Sequence, residues 1–147
     1  DRRIGHRRAL IIAGHGVAGV MLLVLATGGP AGWLSGMLGN PSLPSNPSLP
    51  PAFDMVVLLV FGGSIAVQPL LFAMGRAVIS PDKAGKALAA INFAFFAGAA
   101  VFQPVTGVVS VGFGTAGVLV FLGLLVLACT LAFALLTRPA ATERQPV

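Results

Sequence analysis

Charge is scarce in this sequence. Nine Lys or Arg and four Asp or Glu make up only 9% of its 147 residues, where a soluble domain carries about 25%. So few charges cannot build an ordinary water-facing surface. The same scarcity, joined to high apolarity, excludes a disordered chain, which is charge-rich and apolar-poor. A single cysteine, Cys129, excludes an internal disulfide framework and any cysteine-only metal site. Reaction motifs are missing too: there is no Gly-x-Ser-x-Gly, no His-Glu-x-x-His, no phosphate-binding loop and no carboxylate pair. No catalytic residue, metal ligand or cofactor is therefore assigned, and an enzyme is not expected. The net charge of +5 and pI near 11.3 suggest a polyanionic partner at first sight. Nucleic-acid binding, however, needs basic residues gathered on a solvated face, and too few polar positions exist to form one.

What the chain has in quantity is apolar length. Hydrophobic residues are 56% of the total and the mean hydropathy is +0.96. A membrane span takes about 20 mostly apolar residues, and four stretches qualify: 9–27, 55–75, 87–109 and 112–136. The first holds His15 as its one ionisable group, and the others hold none. No strand alternation is sustained, and hydrocarbon admits only helices or closed barrels. The expected fold is all-α, a polytopic bundle of four transmembrane helices in the lipid bilayer.

Every basic residue falls on one side of that scheme. Arg2, Arg3, Arg7 and Arg8 lie in segment 1–8, Arg76, Lys83 and Lys86 in segment 76–86, and Arg138 and Arg144 in the tail 137–147. The connections at 28–54 and 110–111 contain none. The positive-inside rule puts both termini and the 76–86 loop in the cytoplasm. The external loop 28–54 repeats Asn-Pro-Ser-Leu-Pro at 40–44 and 46–50, which favours extended backbone over a packed domain. Trp33 suits the outer membrane interface. Ser80-Pro81-Asp82 reads as a helix start, with Ser as N-cap, Pro at the first position and Asp favourable to the dipole.

Two spans carry an internal proline directly after glutamine, Gln68-Pro69 and Gln103-Pro104. Each proline removes one backbone hydrogen bond and is expected to kink its helix. The series Ala90, Ala94, Gly98 has helical i, i+4 spacing and reads as a close-packing face, as less regularly do Gly112, Gly114, Gly117 and Gly123.

Asp1-Arg-Arg-Ile-Gly-His-Arg-Arg8 resembles the cytoplasmic signature loop of the major facilitator superfamily, Asp-Arg-x-Gly followed by basic residues. Gly5 stands four residues after Asp1 instead of three, as one inserted arginine explains. In that family the loop joins the second and third helices and recurs between the eighth and ninth. The segment from Gly85 through Asn92 and Gly98 to Gln103-Pro-Val-Thr-Gly107 resembles the eleventh helix. The resemblance makes the chain the C-terminal portion, the ninth to twelfth helices, of a twelve-helix secondary transporter in a bacterial-type inner membrane. Such a carrier works by alternating access between two halves. Its partners are the helices N-terminal to this portion and a small-molecule substrate. The alternative is a self-contained four-helix membrane protein, either an oligomeric small transporter or a non-transporting scaffold.

Several polar residues are candidates within this frame. Asn92 and Gln103 are eleven residues apart, about 20° past three full turns, so they share a helix face with Phe96. They contact substrate or a gate, or they join helices by hydrogen bonds. Ser64 and Gln68, four apart, share a side of the second span; the resemblance gives them a cavity-lining helix, and Gln68 equally suits stabilisation of the Pro69 kink. His15 is a candidate for protonation, or a neutral imidazole hydrogen-bonded near the inner side, since the resemblance puts its helix at the fold's periphery. Asp1, Arg2, Gly5, Arg7 and Arg8 match the signature loop and its cytoplasmic charge network; plain positive-inside anchoring explains the arginines as well.

Overall fold

A computed structural model describes residues 2–28 and 51–138. Asp1, the loop 29–50 with Trp33 and its proline runs, and the tail beyond Arg138 lie outside the described residues, as do the side chains of residues 2–5, 28, 51 and 78. Among the described residues the regular elements are all helices, without strands. Helix α1 runs Arg2–Gly28, α2 Pro51–Ile65 and α3 Pro69–Val78; a single 3-10 turn, Pro81–Lys83, leads into α4, Ala84–Leu136. Three stretches are long and apolar enough to cross a membrane: His6–Thr27, Ala52–Ala77 and Pro81–Leu136.

The first helix extends through residues 2–8, which the sequence reading places in a loop. Nothing in Arg-Arg-Ile-Gly-His-Arg-Arg breaks a helix, arginine is a good helix former, and only Gly5 counts against it. Charge marks where the apolar stretch begins, not where the helix begins.

Pro69 divides the second apolar stretch as expected. Residues 66–68 form a turn. Proline offers no N–H, and the backbone around it shifts to three-residue hydrogen bonds: Gln68 N–H to Ile65 O at 2.9 Å, Leu70 N–H to Val67 O at 2.9 Å, and Leu71 N–H to Gln68 O at 3.0 Å. Pro104 behaves differently. The backbone there keeps helical dihedrals, and the departure within α4 comes instead at Gly114, with φ 65° and ψ −171°. That region of dihedral space is essentially reserved for glycine.

The break at Gly114 reverses the chain. Phe102 and Phe121 stand 6.4 Å apart between ring centroids, whereas nineteen residues of straight helix would separate them by about 28 Å. Residues 84–113 and 115–136 therefore pack as a helical hairpin. The hydropathy profile places the interruption at Ser110-Val111. The turn sits three residues later, at Gly114, one of two glycines in Gly112-Phe-Gly114 that can take a positive φ at little cost. Ser80-Pro81-Asp82 opens the 3-10 turn, with Lys83 N–H donating to Ser80 O at 2.9 Å. The Ser80 hydroxyl makes no capping bond, so the turn is held by backbone alone and α4 begins at Ala84.

Packing centres on α1. It contributes Ile11, Ala18, Leu22 and Ala26 to the buried core, joined by Val57 of α2. At 100° per residue these four α1 positions fall within one narrow stripe. Glycines allow the neighbours to come close. A β-carbon on Gly19 would stand 2.7 Å from Leu127 Cγ and 3.2 Å from the Gly123 carbonyl oxygen, and one on Gly123 would stand 3.0 Å from the Gly19 carbonyl oxygen. Here α1 and the second arm of α4 meet backbone to backbone. The outer faces are the reverse: Leu59 is 79% exposed, Phe96 68% and Val111 91%. Water would not tolerate this much contiguous apolar surface; hydrocarbon or further helices would cover it. The Ala90, Ala94, Gly98 face belongs to this outer surface, and a β-carbon on Gly98 would meet nothing within 4 Å.

Candidate functional site

The break before Pro69 places Gln68 at the foot of α3, and the first arm of α4 passes in front of it. Gln68, Pro69 and Phe72 from one side and Asn92, Phe95 and Phe96 from the other line a recess of about 280 Å³. Two of the candidate polar residues, 24 positions apart in sequence, thus open on one space, with phenylalanines as its walls. Phe95 and Phe96 stand edge to face, 5.8 Å between centroids, an arrangement favoured by the aromatic quadrupole. Two amides, each carrying donors and an acceptor, within an otherwise apolar wall can orient a small polar molecule.

Gln103 and Ser64 lie apart from this recess. Gln103 shares the helix face of Asn92 but sits about 17 Å further along the axis by helix rise; its side chain is exposed, and its carbonyl accepts from Thr106 Oγ1 at 2.8 Å. The Ser64 hydroxyl donates to the Val60 carbonyl of its own helix at 2.6 Å, a local bond typical of serine within a helix. Its backbone carbonyl marks where α1 touches the break. A β-carbon on Gly14 would stand 2.8 Å from that oxygen and 2.5 Å from Val67 Cγ2.

His15 is half-buried, and its Nδ1 lies 3.0 Å from the Ile11 carbonyl oxygen. A carbonyl only accepts, so Nδ1 carries the proton and donates it. The ring borders an apolar cavity of about 290 Å³, shared with Leu71 and, on the second arm of α4, Cys129, Thr130 and Phe133. The Thr130 hydroxyl is engaged with Val126 O at 2.7 Å. Among the described residues, no three His, Cys, Asp or Glu side chains gather as metal ligands would.

Two features of the basic end were not foreseen from sequence. Arg8 donates from Nε to Thr137 Oγ1 at 2.9 Å and from Nη2 to the Ala134 carbonyl at 2.7 Å, while Thr137 Oγ1 itself donates to Phe133 O at 2.6 Å. An arginine from the first helix thus satisfies the open carbonyl end of the last. Arg7, its neighbour, faces the other way, into a recess of about 610 Å³ shared with Arg76. Adjacent arginines on a helix diverge by 100°, which was the signal that they serve different neighbours. Sequence alone could not say which.

The chain matches no family model, no curated protein and no solved structure.

Proposed function

We propose that this chain forms the four-span C-terminal part of a secondary transporter of the major facilitator type, in a bacterial-type inner membrane, with the basic ends of its helices in the cytoplasm. The four spans are α1, α2 with α3, and the two arms of α4. One observation carries the proposal: Gln68 and Asn92 converge on an aromatic-walled recess that is open at the outer side of the bundle, with Gln103 exposed further along the same α4 face. A polar stripe on an apolar span is costly against lipid. It is stabilised facing a water-filled path or another set of helices, as at the central site of a carrier with two halves. The gathering of Arg7, Arg76 and the Arg8–Thr137 clasp at one end of the bundle supports the orientation.

Thiol accessibility tests this reading in the intact membrane protein. With Cys129 replaced by Ser, cysteines at positions 68, 92 and 103 should react with membrane-impermeant thiol reagents, and substrate should slow the reaction. Cysteines at the exposed apolar positions Val108 and Leu131 should stay unreactive. Equal protection at all five positions would refute a water path.

The broad apolar outer faces also suit a second reading, a self-contained four-helix protein that covers them with further copies. That version expects stable dimers or tetramers of the 147-residue chain in detergent, and no additional spans encoded upstream. The transporter reading expects eight.

A further inference from the structure

The recess at the basic end joins three helices. Arg7 comes from α1, Phe72, Ala73, Arg76 and Ala77 from α3, and Leu88 from the start of α4. Among the described residues neither Arg7 nor Arg76 has an ion-pair or hydrogen-bond partner, in contrast to Arg8 beside them, which has two. Two guanidiniums that open on one space repel each other, and the repulsion is weakly screened beside hydrocarbon. Among the described residues no acidic side chain lines the recess; Asp82, on the 3-10 turn at the same end, is not among its walls.

We infer that Arg7 and Arg76 bind the phosphate of an anionic membrane lipid, whose glycerol and upper chain lie along Phe72 and Leu88. The chemistry of the two ends of the recess argues for this occupant. Guanidinium is the side chain best matched to a phosphate, through paired N–H donors. The remaining four lining residues are apolar, which offers nothing to inorganic phosphate and suits a lipid whose headgroup continues into hydrocarbon. Basic pockets between helices at the membrane boundary are where such headgroups bind. The inference requires that the helices sit in a bilayer and is independent of any transport activity.

Native mass spectrometry of the full chain in dodecyl maltoside, titrated with dioleoyl phosphatidylglycerol or dioleoyl phosphatidylcholine, tests it. One phosphatidylglycerol per chain should be retained in preference to phosphatidylcholine. Arg7→Gln with Arg76→Gln should weaken it about 30-fold, two contacts of the size a basic residue makes at an anionic surface. Arg7→Lys with Arg76→Lys should restore most of the binding. Lys83→Gln with Lys86→Gln removes the same charge from the adjoining segment and should leave binding unchanged. If the double glutamine variant loses its helical circular dichroism, Arg76→Gln alone carries the test, with a loss of about fivefold. Equal retention of the two lipids overturns the inference, as does an equal loss in the lysine pair, which would mean diffuse attraction. Displacement of the lipid by millimolar inorganic phosphate would reassign the site to a soluble anion and also overturn it.

Discussion

Gly14 marks a close approach between helices that a single added atom can probe. Gly14→Ala adds one β-carbon, 2.5 Å from Val67 Cγ2 and 2.8 Å from the Ser64 carbonyl oxygen. Neither neighbour yields easily, because valine is stiff at χ1 and the carbonyl belongs to the backbone just before the Pro69 break. Overpacking of this kind costs about 1–3 kcal/mol, against a gain of about 0.5–1 kcal/mol from replacing glycine in a helix. The net loss is about 1–2 kcal/mol. Gly16, two residues along the same helix, provides the comparison: a β-carbon there meets nothing within 4 Å. Gly16→Ala should therefore stabilise by about 0.5–1 kcal/mol. The pair differs by about 2 kcal/mol, or roughly 30-fold in the folding equilibrium. Reversible unfolding in mixed dodecyl maltoside and dodecyl sulfate micelles, followed by far-ultraviolet circular dichroism, measures both. A Gly14→Ala variant as stable as Gly16→Ala would refute the contact between α1 and the break, and with it the placement of Gln68.

Arg8→Gln should destabilise by about 2 kcal/mol in the same assay, through the loss of charge-assisted bonds to Ala134 O and Thr137 Oγ1; Thr137→Val should cost about half as much. Gly114→Ala forces a β-carbon into a dihedral region costing about 1–3 kcal/mol. Spin labels at positions 102 and 121, with Cys129 replaced by Ser, should report a short distance in the parent and a longer or broader one in the variant, whereas a straight helix would give about 28 Å in both. Under the proposed transporter reading, Gln68→Leu, Asn92→Leu and Gln103→Leu should each reduce transport by the intact protein without preventing membrane insertion. Unchanged uptake in all three would leave them as packing residues.

How much of this was legible depended on the range of each interaction. The Pro69 break follows from one missing N–H and could be read from one residue. The shared face of Asn92 and Gln103 follows from 100° per residue, yet only Asn92 reaches the recess with Gln68. That selection is made by where α3 crosses α4, which no local period encodes. Hydropathy located the interruption near Ser110-Val111, while the turn falls at Gly114: a dip in hydropathy reports preference for water, whereas a chain reversal needs permissive backbone, which the glycines at 112 and 114 both offer. Pro104 looked equivalent to Pro69 in sequence, and differs because the helix around it continues with helical dihedrals. The Arg8 clasp was hidden for the simplest reason: its partners are 126 and 129 residues away.

That separation also sets an order of events during synthesis. At about 5–20 residues per second, a span of 129 residues takes about 6–26 s to emerge. For most of that interval α1 (Arg2–Gly28) is complete while the second arm of α4 is not yet made, so Gly19 lacks its partner and the Arg8 guanidinium is open to water or headgroups. This backbone-to-backbone interface is thus among the last to close. A ribosome stalled after Gly114 would leave α1 without the arm against which its glycine stripe is shaped.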